Sequence, residues 1–484
     1  MSVKWVHRGL LPDKLIRNNW FKTFYSLIVF AAAVYVVYKG QEVIGAVYFA
    51  SLVALIWVIS DDFVDSMLPL LLLSVFVTRM YNSYARFIQY KWLAIPLGFA
   101  LLFHVIWYWR RPKIGITFYG QLAVAVAISV SGIGTFPLAA YLKASSIYYI
   151  LGLGFGMVGF YLLFSSHVQD HDRHQMARYM MLVGMMVVVC VVHFYYANRA
   201  TYAATGSWPA FYGENNLATF MMMALPMPFW YASKRPWGFL YVMVCIPVFY
   251  GALVLCGSRG GMLLGTAEVF LLFIVYCIAS HGRIINRIAY VLCFFVFGYI
   301  LYEYGPAFVT KYMKFPLLRV GGQLGLEYYF LRIQDFVTEK GIEVRTKFIA
   351  RAITDFQSSL IVGKGILYKG NSDLYNGVKG TMQWYHMWFP QIIGSMGLVG
   401  VAAYASQMWC RAKAYFTHRD ALNLTLAMSA VGLWLMSQVN PGEFCPIPYA
   451  LLTVIYFVLI ENTAKEQGPT YRLDDSDADG KSAD

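Results

Sequence analysis

Along most of its 484 residues the chain alternates long apolar blocks with short polar connections. Fourteen blocks stand out, over 23–38, 43–59, 63–78, 92–109, 116–132, 147–165, 178–196, 216–232, 238–256, 261–280, 285–302, 388–408, 421–438 and 444–460. Many approach the ~20 residues a helix needs to cross a hydrocarbon core of about 30 Å. A helix satisfies its own backbone hydrogen bonds, which lipid cannot do for it. The pattern therefore predicts an all-α polytopic membrane protein of about 14 transmembrane helices (12–14), with one large helical outer loop. The first block follows a basic leader, 1–22, with no small-residue cleavage site, so it is expected to stay as a helix.

Composition strengthens this reading. Apolar residues make up 59% and charged ones 13%, about half the charged share of a soluble domain. A soluble enzyme, a disordered chain and a small secreted scaffold are excluded. The net charge of +13 sits mostly in short loops, as topology signals and lipid-headgroup contacts do, so no nucleic-acid partner is expected. Lys4, Arg8, Lys14, Arg17 and Lys22 hold the leader in the cytoplasm, and the loops at Arg110–Lys113, Lys234–Arg235, Arg283 with Arg287, and Arg411 to Arg419 fall on the same side. Arg79, Arg86 and Lys91 fall on the other, against the rule. An N-in, C-in chain follows, with helices over 23–302 and 388–460, the loop 303–387 outside, and a disordered acidic tail, 461–484, inside. The seven cysteines are scattered without a CxxC pair, which argues against a disulfide framework or a zinc site.

Candidate chemistry gathers on the outer side. On a helical projection of 344–357, Arg345 lies amid an apolar arc of Val344, Phe348, Ile349, Ala352, Ile353 and Phe356. A guanidinium there needs a partner, either a carboxylate such as Asp335 or Glu443, or a phosphate, which suits its fork of donors. Arg259 sits in the turn Gly257-Ser258-Arg259-Gly260-Gly261 at a helix start, a place for an anion or for an arginine snorkelling to the membrane edge. His386 precedes a helix whose first turn holds Pro390. It is either a proton acceptor or one more interfacial ring beside Trp384, Tyr385 and Trp388. Two other clusters read as decoys. Asp61-Asp62-Phe63-Val64-Asp65 has the form of a diphosphate–magnesium motif but lacks a second aspartate cluster. His167, His171 and His174 with Asp170 and Asp172 read as a solvated connector with no enclosing shell for a metal.

Taken in order, these pieces resemble the bacterial O-antigen ligase and polymerase superfamily of membrane glycosyltransferases. His386-Met387, nine residues, Gly397, two residues and Gly400 match the spacing of the ligases' last outer loop and following helix. Met387 stands where the ligases carry a small polar residue. Upstream, Glu214-Asn215-Asn216 with Ala224-Leu225-Pro226 is similar to the family's Asn-rich helix start, Cys256 to Gly261 to its Ser-Arg-Gly turn, and Arg345 with Phe356 and Gly363-Lys364-Gly365 to its Arg-to-Gly segment. The likeness covers about 200–405. It implies transfer of a glycan from undecaprenyl pyrophosphate to an acceptor hydroxyl (of lipid A core, a protein or another glycan) outside the bacterial inner membrane, with inversion and with neither metal, nucleotide sugar nor other cofactor. In such a site His386 would be the base, with Arg345 and Arg259 on the pyrophosphate. Asn215, Asn216, Lys347, Arg351, Gly397 and Gly400 would bind substrate. The eleven Lys and Arg of 303–387 against seven Asp and Glu favour an anionic carrier. The alternatives are a polymerase with the same chemistry and, from another class, a polysaccharide or glycolipid transporter. The helices' scarcity of charge and lack of repeated halves argue against the transporter.

Overall fold

Apolar blocks without partners in sequence become helices because only the helix closes every backbone hydrogen bond within the block. The computed structural model describes residues 19–80, 89–134, 148–168, 172–205, 209, 211, 213–233, 238–279, 284–312, 340–366, 385–440 and 442–463, and these contain helices and turns but no strand. In chain order the helices are α1 (Asn19–Tyr38), α2 (Glu42–Ile59), α3 (Met67–Arg79), α4 (Ala94–Tyr108), α5 (Ile116–Val130), α6 (Met157–His167), α7 (Asp172–Ala197), α8 (Arg199–Thr205), α9 (Glu214–Ala224), α10 (Met227–Ser233), α11 (Gly238–Leu255), α12 (Arg259–Ala279), α13 (Ile284–Tyr312), α14 (Lys340–Ser358), α15 (Trp388–Thr417), α16 (Ala421–Ser437) and α17 (Leu451–Glu461). Among the described residues nine helical stretches are long and apolar enough to cross a membrane, and three shorter apolar helices accompany them. The protein is an all-helical, multi-pass membrane protein. Most of the leader, most of the acidic tail and the greater part of 303–387 lie outside the described residues.

Several blocks depart from their predicted form. Block 63–78 opens as a 3-10 turn, Phe63–Ser66, before α3. Block 216–232 breaks into α9 and α10 at Leu225-Pro226, because Pro226 has no N–H to continue the ladder. The last block begins as a π turn, Pro446–Ala450, before α17.

The largest departure is in α15. At Gly397 the backbone turns to φ 59°, ψ −149°, a conformation open essentially to glycine alone. Trp388 and Tyr404 are sixteen residues apart in sequence, which is roughly 24 Å along a straight helix, yet their ring centroids lie 5.8 Å apart. The element is thus two helices folded back on each other, 388–396 and 398–417. The fold-back strands backbone groups on both sides of the turn, and the segment after α14 satisfies them. Leu398 and Val399 donate to the Leu360 and Ile361 carbonyls at 2.9 and 3.0 Å, while Lys364 and Gly365 donate to Gly394 and Ser395 at 3.0 and 2.8 Å. The end of α5 holds that segment from behind: Gly132 donates to Val362, and the Ser131 hydroxyl accepts from Ile366.

The other end of the bundle is polar and closed. The Lys22 ammonium lies 3.0 Å from both Asp62 and Asp65, and Arg110 pairs with Asp61. Gln175 of α7 donates to Asp65, Arg173 pairs with Asp420, and Glu461 accepts from the backbone and hydroxyl of Thr117 at the start of α5. Lys22 is therefore a buried helix residue rather than part of a free leader. The solvated connector is corrected as well: His167 and Asp172 are 4% and 1% exposed, His167 bonds the Tyr108 carbonyl, and His174 packs on Trp230. His171 and Asp170 lie outside the described residues.

Candidate functional site

Opposite the Asp61 end, four separated pieces of chain meet in two pairs. The first pair joins the starts of α9 and α12. Ser258 caps α12 by accepting from the Gly261 amide at 3.0 Å, and the same hydroxyl donates to the Asn215 side chain at 2.7 Å. Gly257 and Gly213 take positive φ of 83° and 77° on either side of the joint. A Cβ on Gly261 would stand 2.7 Å from Ala218, so glycine sets how closely the two helices approach. Arg259 is the first residue of α12 and is partly exposed. Loss of hydration lifts the Glu214 carboxyl above its ordinary range, and the Arg259 charge opposes that rise. Asn215 and Asn216 are exposed, with the Asn216 carbonyl fixed by the Tyr449 hydroxyl at 2.9 Å.

The second pair joins α14 to the half-helix 388–396. Tyr385 is fully buried: its amide donates to Gln391 at 2.9 Å and its hydroxyl to Asp355 at 2.7 Å. Asp355, 2% exposed, also takes the Arg351 guanidinium at 2.9 Å. Phe348, Ala352 and Tyr385 form a small core of their own. His386 follows with φ 55°, the one positive value of a residue other than glycine among those described. That turn sets its ring against Phe348, centroids 5.1 Å apart, while leaving it partly exposed. The buried stripe of α14 runs through 348, 352 and 355, and Arg345 stands one turn earlier on the same register; its side chain lies outside the described part. Lys347 is exposed, and Ile349 and Ile353 are exposed too, at 36% and 43%.

Val439 and Glu443, which follow α16, connect the pairs. A Cβ on Gly260, beside Arg259, would meet Val439 at 2.5 Å. Glu443 accepts from the Trp388 indole at 2.7 Å, two residues from His386, and pairs with Arg411 at 2.8 Å. Both side chains are nearly buried, at 4% and 12% exposure. The Glu443 oxygens are thus engaged by Trp388 and Arg411. Gly397 and Gly400 are buried in and below the fold-back; a Cβ on Gly397 would meet the Leu360 oxygen at 2.6 Å, and one on Gly400 the Met396 side chain at 2.4 Å.

Asp355 and Gln391 are not singled out in the sequence, and Ser258 figures there only as part of the turn. Tyr385 figures as an interfacial ring, Arg411 as a topology charge and Glu443 as a candidate partner of Arg345 rather than of Arg411. Arg351 and Asp355, four apart on an amphipathic helix, carried a readable signal. The others depend on contacts that only the fold creates. Arg79, the exception to the charge rule, is likewise tied down, donating to the Cys190 carbonyl at 3.1 Å and lying 3.6 Å from Glu42.

Chemically, the arrangement combines a partly exposed imidazole on a fixed backbone with an arginine at a helix N-terminus and a second arginine-bearing helix. Groups of this kind take a proton and bind an anion. No group of three or more His, Cys, Asp or Glu suited to a metal occurs among the described residues. In comparison with known proteins, no family model, curated protein or solved structure matches this chain.

Proposed function

We propose that the protein is a membrane glycosyltransferase of the O-antigen ligase type. It moves a glycan from undecaprenyl pyrophosphate to an acceptor hydroxyl at the outer face of the bacterial inner membrane. The observation that carries this reading is the pairing of the four motif pieces. Asn215 meets Ser258 at 2.7 Å, His386 meets Phe348 on the arginine helix at 5.1 Å, and Val439 and Glu443, just after α16, touch one pair each. In this reading about 14 helices (12–14) span the membrane, with both termini inside and the Arg259 end outside.

The chemistry then runs as a single displacement. His386 takes the acceptor's hydroxyl proton, the oxygen attacks the anomeric carbon, and the bond to the pyrophosphate breaks on the opposite face. The leaving oxygen keeps the electron pair, and Arg259 and Arg345 stabilise the charge that develops there. Lys347 adds positive potential nearby. Arg351 is committed to Asp355 and acts by shaping α14. Asn215 and Asn216 bind polar parts of the donor, with Gly397 and Gly400 beneath.

The test is the length distribution of glycan on undecaprenyl pyrophosphate in cells whose one copy carries His386→Ala. Single repeat units piling up identify a polymerase, and long chains accumulating identify a ligase. An unchanged carrier pool removes the support for His386 as base. A second reading, a polysaccharide or glycolipid transporter, gains from ionisable groups inside the bundle, Glu268 and the Arg411–Glu443 pair. Product formed by purified protein in detergent, where no compartments exist, decides for transfer over transport.

A further inference from the structure

Glu268 lies midway along α12, fully buried, and neither of its carboxylate oxygens has a hydrogen-bond partner among the described residues. Two neighbouring helices close on it. On α16, Gly432 is so near that a Cβ there would stand 2.4 Å from the Glu268 Oε1. The same point lies 2.8 Å from the Met222 carbonyl oxygen of α9. That carbonyl is special in the sequence. Its helical donor would be residue 226, which is proline and has no N–H. An acid without a donor thus meets an acceptor without its usual donor, in a space that only a glycine leaves open.

We propose that Glu268 is a proton-binding site. The carboxylic acid is neutral in the folded protein and directs its O–H at the Met222 carbonyl. An ionised carboxylate in this place would have neither hydration nor a countercharge, a penalty that proteins avoid by protonation. The titratable groups on the elements packed against α12 do not supply the missing charge. α16 carries none and α9 only Glu214, at its far end. From α11, Tyr250 bonds Thr266, with Tyr241 and Cys245 towards its start. From α13 come Tyr290 and Cys293, while Arg287 lies beside Cys277, more than two turns of α12 from Glu268, and Tyr299, Tyr302 and Glu303 are exposed. On α12 itself, Tyr276 bonds Thr425 and Arg259 stands at the N-terminus. The carboxylate and one carbonyl are too few ligands for a metal cation, which takes about six oxygens. The consequence is mechanical. α12 and α9 carry Arg259 and Asn215 at their starts and α16 leads directly into Val439, so the proton at Glu268 holds together the helices that frame the candidate site. Glu268 belongs to the fold itself, and its proton does not depend on any transferase chemistry at the site.

Two measurements on the full chain in lipid nanodiscs test it. Infrared spectra at neutral pH are expected to contain a protonated-carboxyl C=O band that disappears in Glu268→Gln and persists when sodium is added. The pH dependence of unfolding supplies the second. The folded state holds a proton that unfolded glutamate releases above its ordinary range, so stability must fall as pH rises. The wild-type folding equilibrium is expected to lose about tenfold per pH unit more than that of Glu268→Gln, until the folded acid itself ionises. A band unchanged in the variant, or parallel pH profiles, overturns the proposal. A band that sodium converts to carboxylate overturns it in favour of a cation site. Should Glu268→Gln fail to fold, Glu268→Asp keeps the acid and must shift the same band; an unshifted band is equally fatal.

Discussion

Gly397→Ala is the sharpest test of the fold-back in α15. The residue holds φ 59°, ψ −149°, and an L side chain in that region costs on the order of 1–3 kcal/mol. Sterics add to this. The new methyl would lie 2.6 Å from the Leu360 oxygen and 2.7 Å from both the Gly363 nitrogen and the Ile361 oxygen. These are backbone atoms and cannot rotate away, so segment 360–363 must retreat. Its retreat lengthens the bonds that Leu360 and Ile361 accept from Leu398 and Val399, each worth about 1 kcal/mol. Together these terms give a loss of about 3–5 kcal/mol. The control is Gly251→Ala in α11, where no atom lies within 4 Å of the added methyl and φ is unexceptional. It is expected to gain about 0.5–1 kcal/mol from helix propensity. Reversible unfolding in mixed micelles, titrated with a denaturing detergent, measures both. If Gly397→Ala unfolds at the wild-type midpoint in an assay that resolves the control, the fold-back is not the native arrangement.

Three further changes probe the surroundings. Ser258→Ala removes the cap of α12 and its link to Asn215, for a loss of about 1 kcal/mol in the same unfolding assay; Ser258→Thr should restore most of it. Lys22→Met leaves the buried Asp62 and the partly buried Asp65 without their cation, costing roughly 3–5 kcal/mol. That loss shrinks at acidic pH, where the carboxyls take up protons, and an equal loss at all pH values would mean that packing rather than charge is responsible. Arg259→Ala should lower glycan transfer by a factor on the order of 10²–10³ with stability little changed, and Arg259→Lys should recover only part, because a point charge replaces a fork of donors.

The helical class was legible in the chain because each membrane helix answers its own backbone, and an apolar block of the right length needs no knowledge of its neighbours. What depends on neighbours was not legible. Lys22 and Arg411 read as loop charges, since their partners Asp62 and Glu443 are 40 and 32 residues away. Block 388–408 reads as one span because both arms of the fold-back are apolar. Gly394, Gly397 and Gly400 read as a packing stripe, whereas Gly397 is a reversal and Gly394 makes room for the Tyr385 ring, which a Cβ would approach to 2.7 Å. The motif residues were legible by spacing. Their supports are ordinary residues in sequence: Ser258 acquires meaning only when α9 meets α12, and Asp355, Tyr385 and Gln391 only when α14 meets α15.

The fold-back also accounts for Arg411. If 388–408 were one straight span, a residue three beyond its end would sit in a polar loop. Once the first nine residues double back, the long arm runs from Leu398 to Thr417, and Arg411 falls well inside it. A guanidinium in that position requires a carboxylate, and Glu443 supplies it from the turn after α16. The second oxygen of Glu443 then reaches the Trp388 indole, the first residue of the short arm. One ion pair thereby fixes both arms of α15 and the point at which His386 enters. The short arm is roughly 13 Å long, so Trp388, packed on Tyr404, and His386 just before it stand at least that far along the chain from the Gly397 turn rather than at it. In the proposed transfer reaction, a base set back from the turn in this way would work in surroundings poorer in water, where an arginine facing the pyrophosphate is worth more than at an open surface.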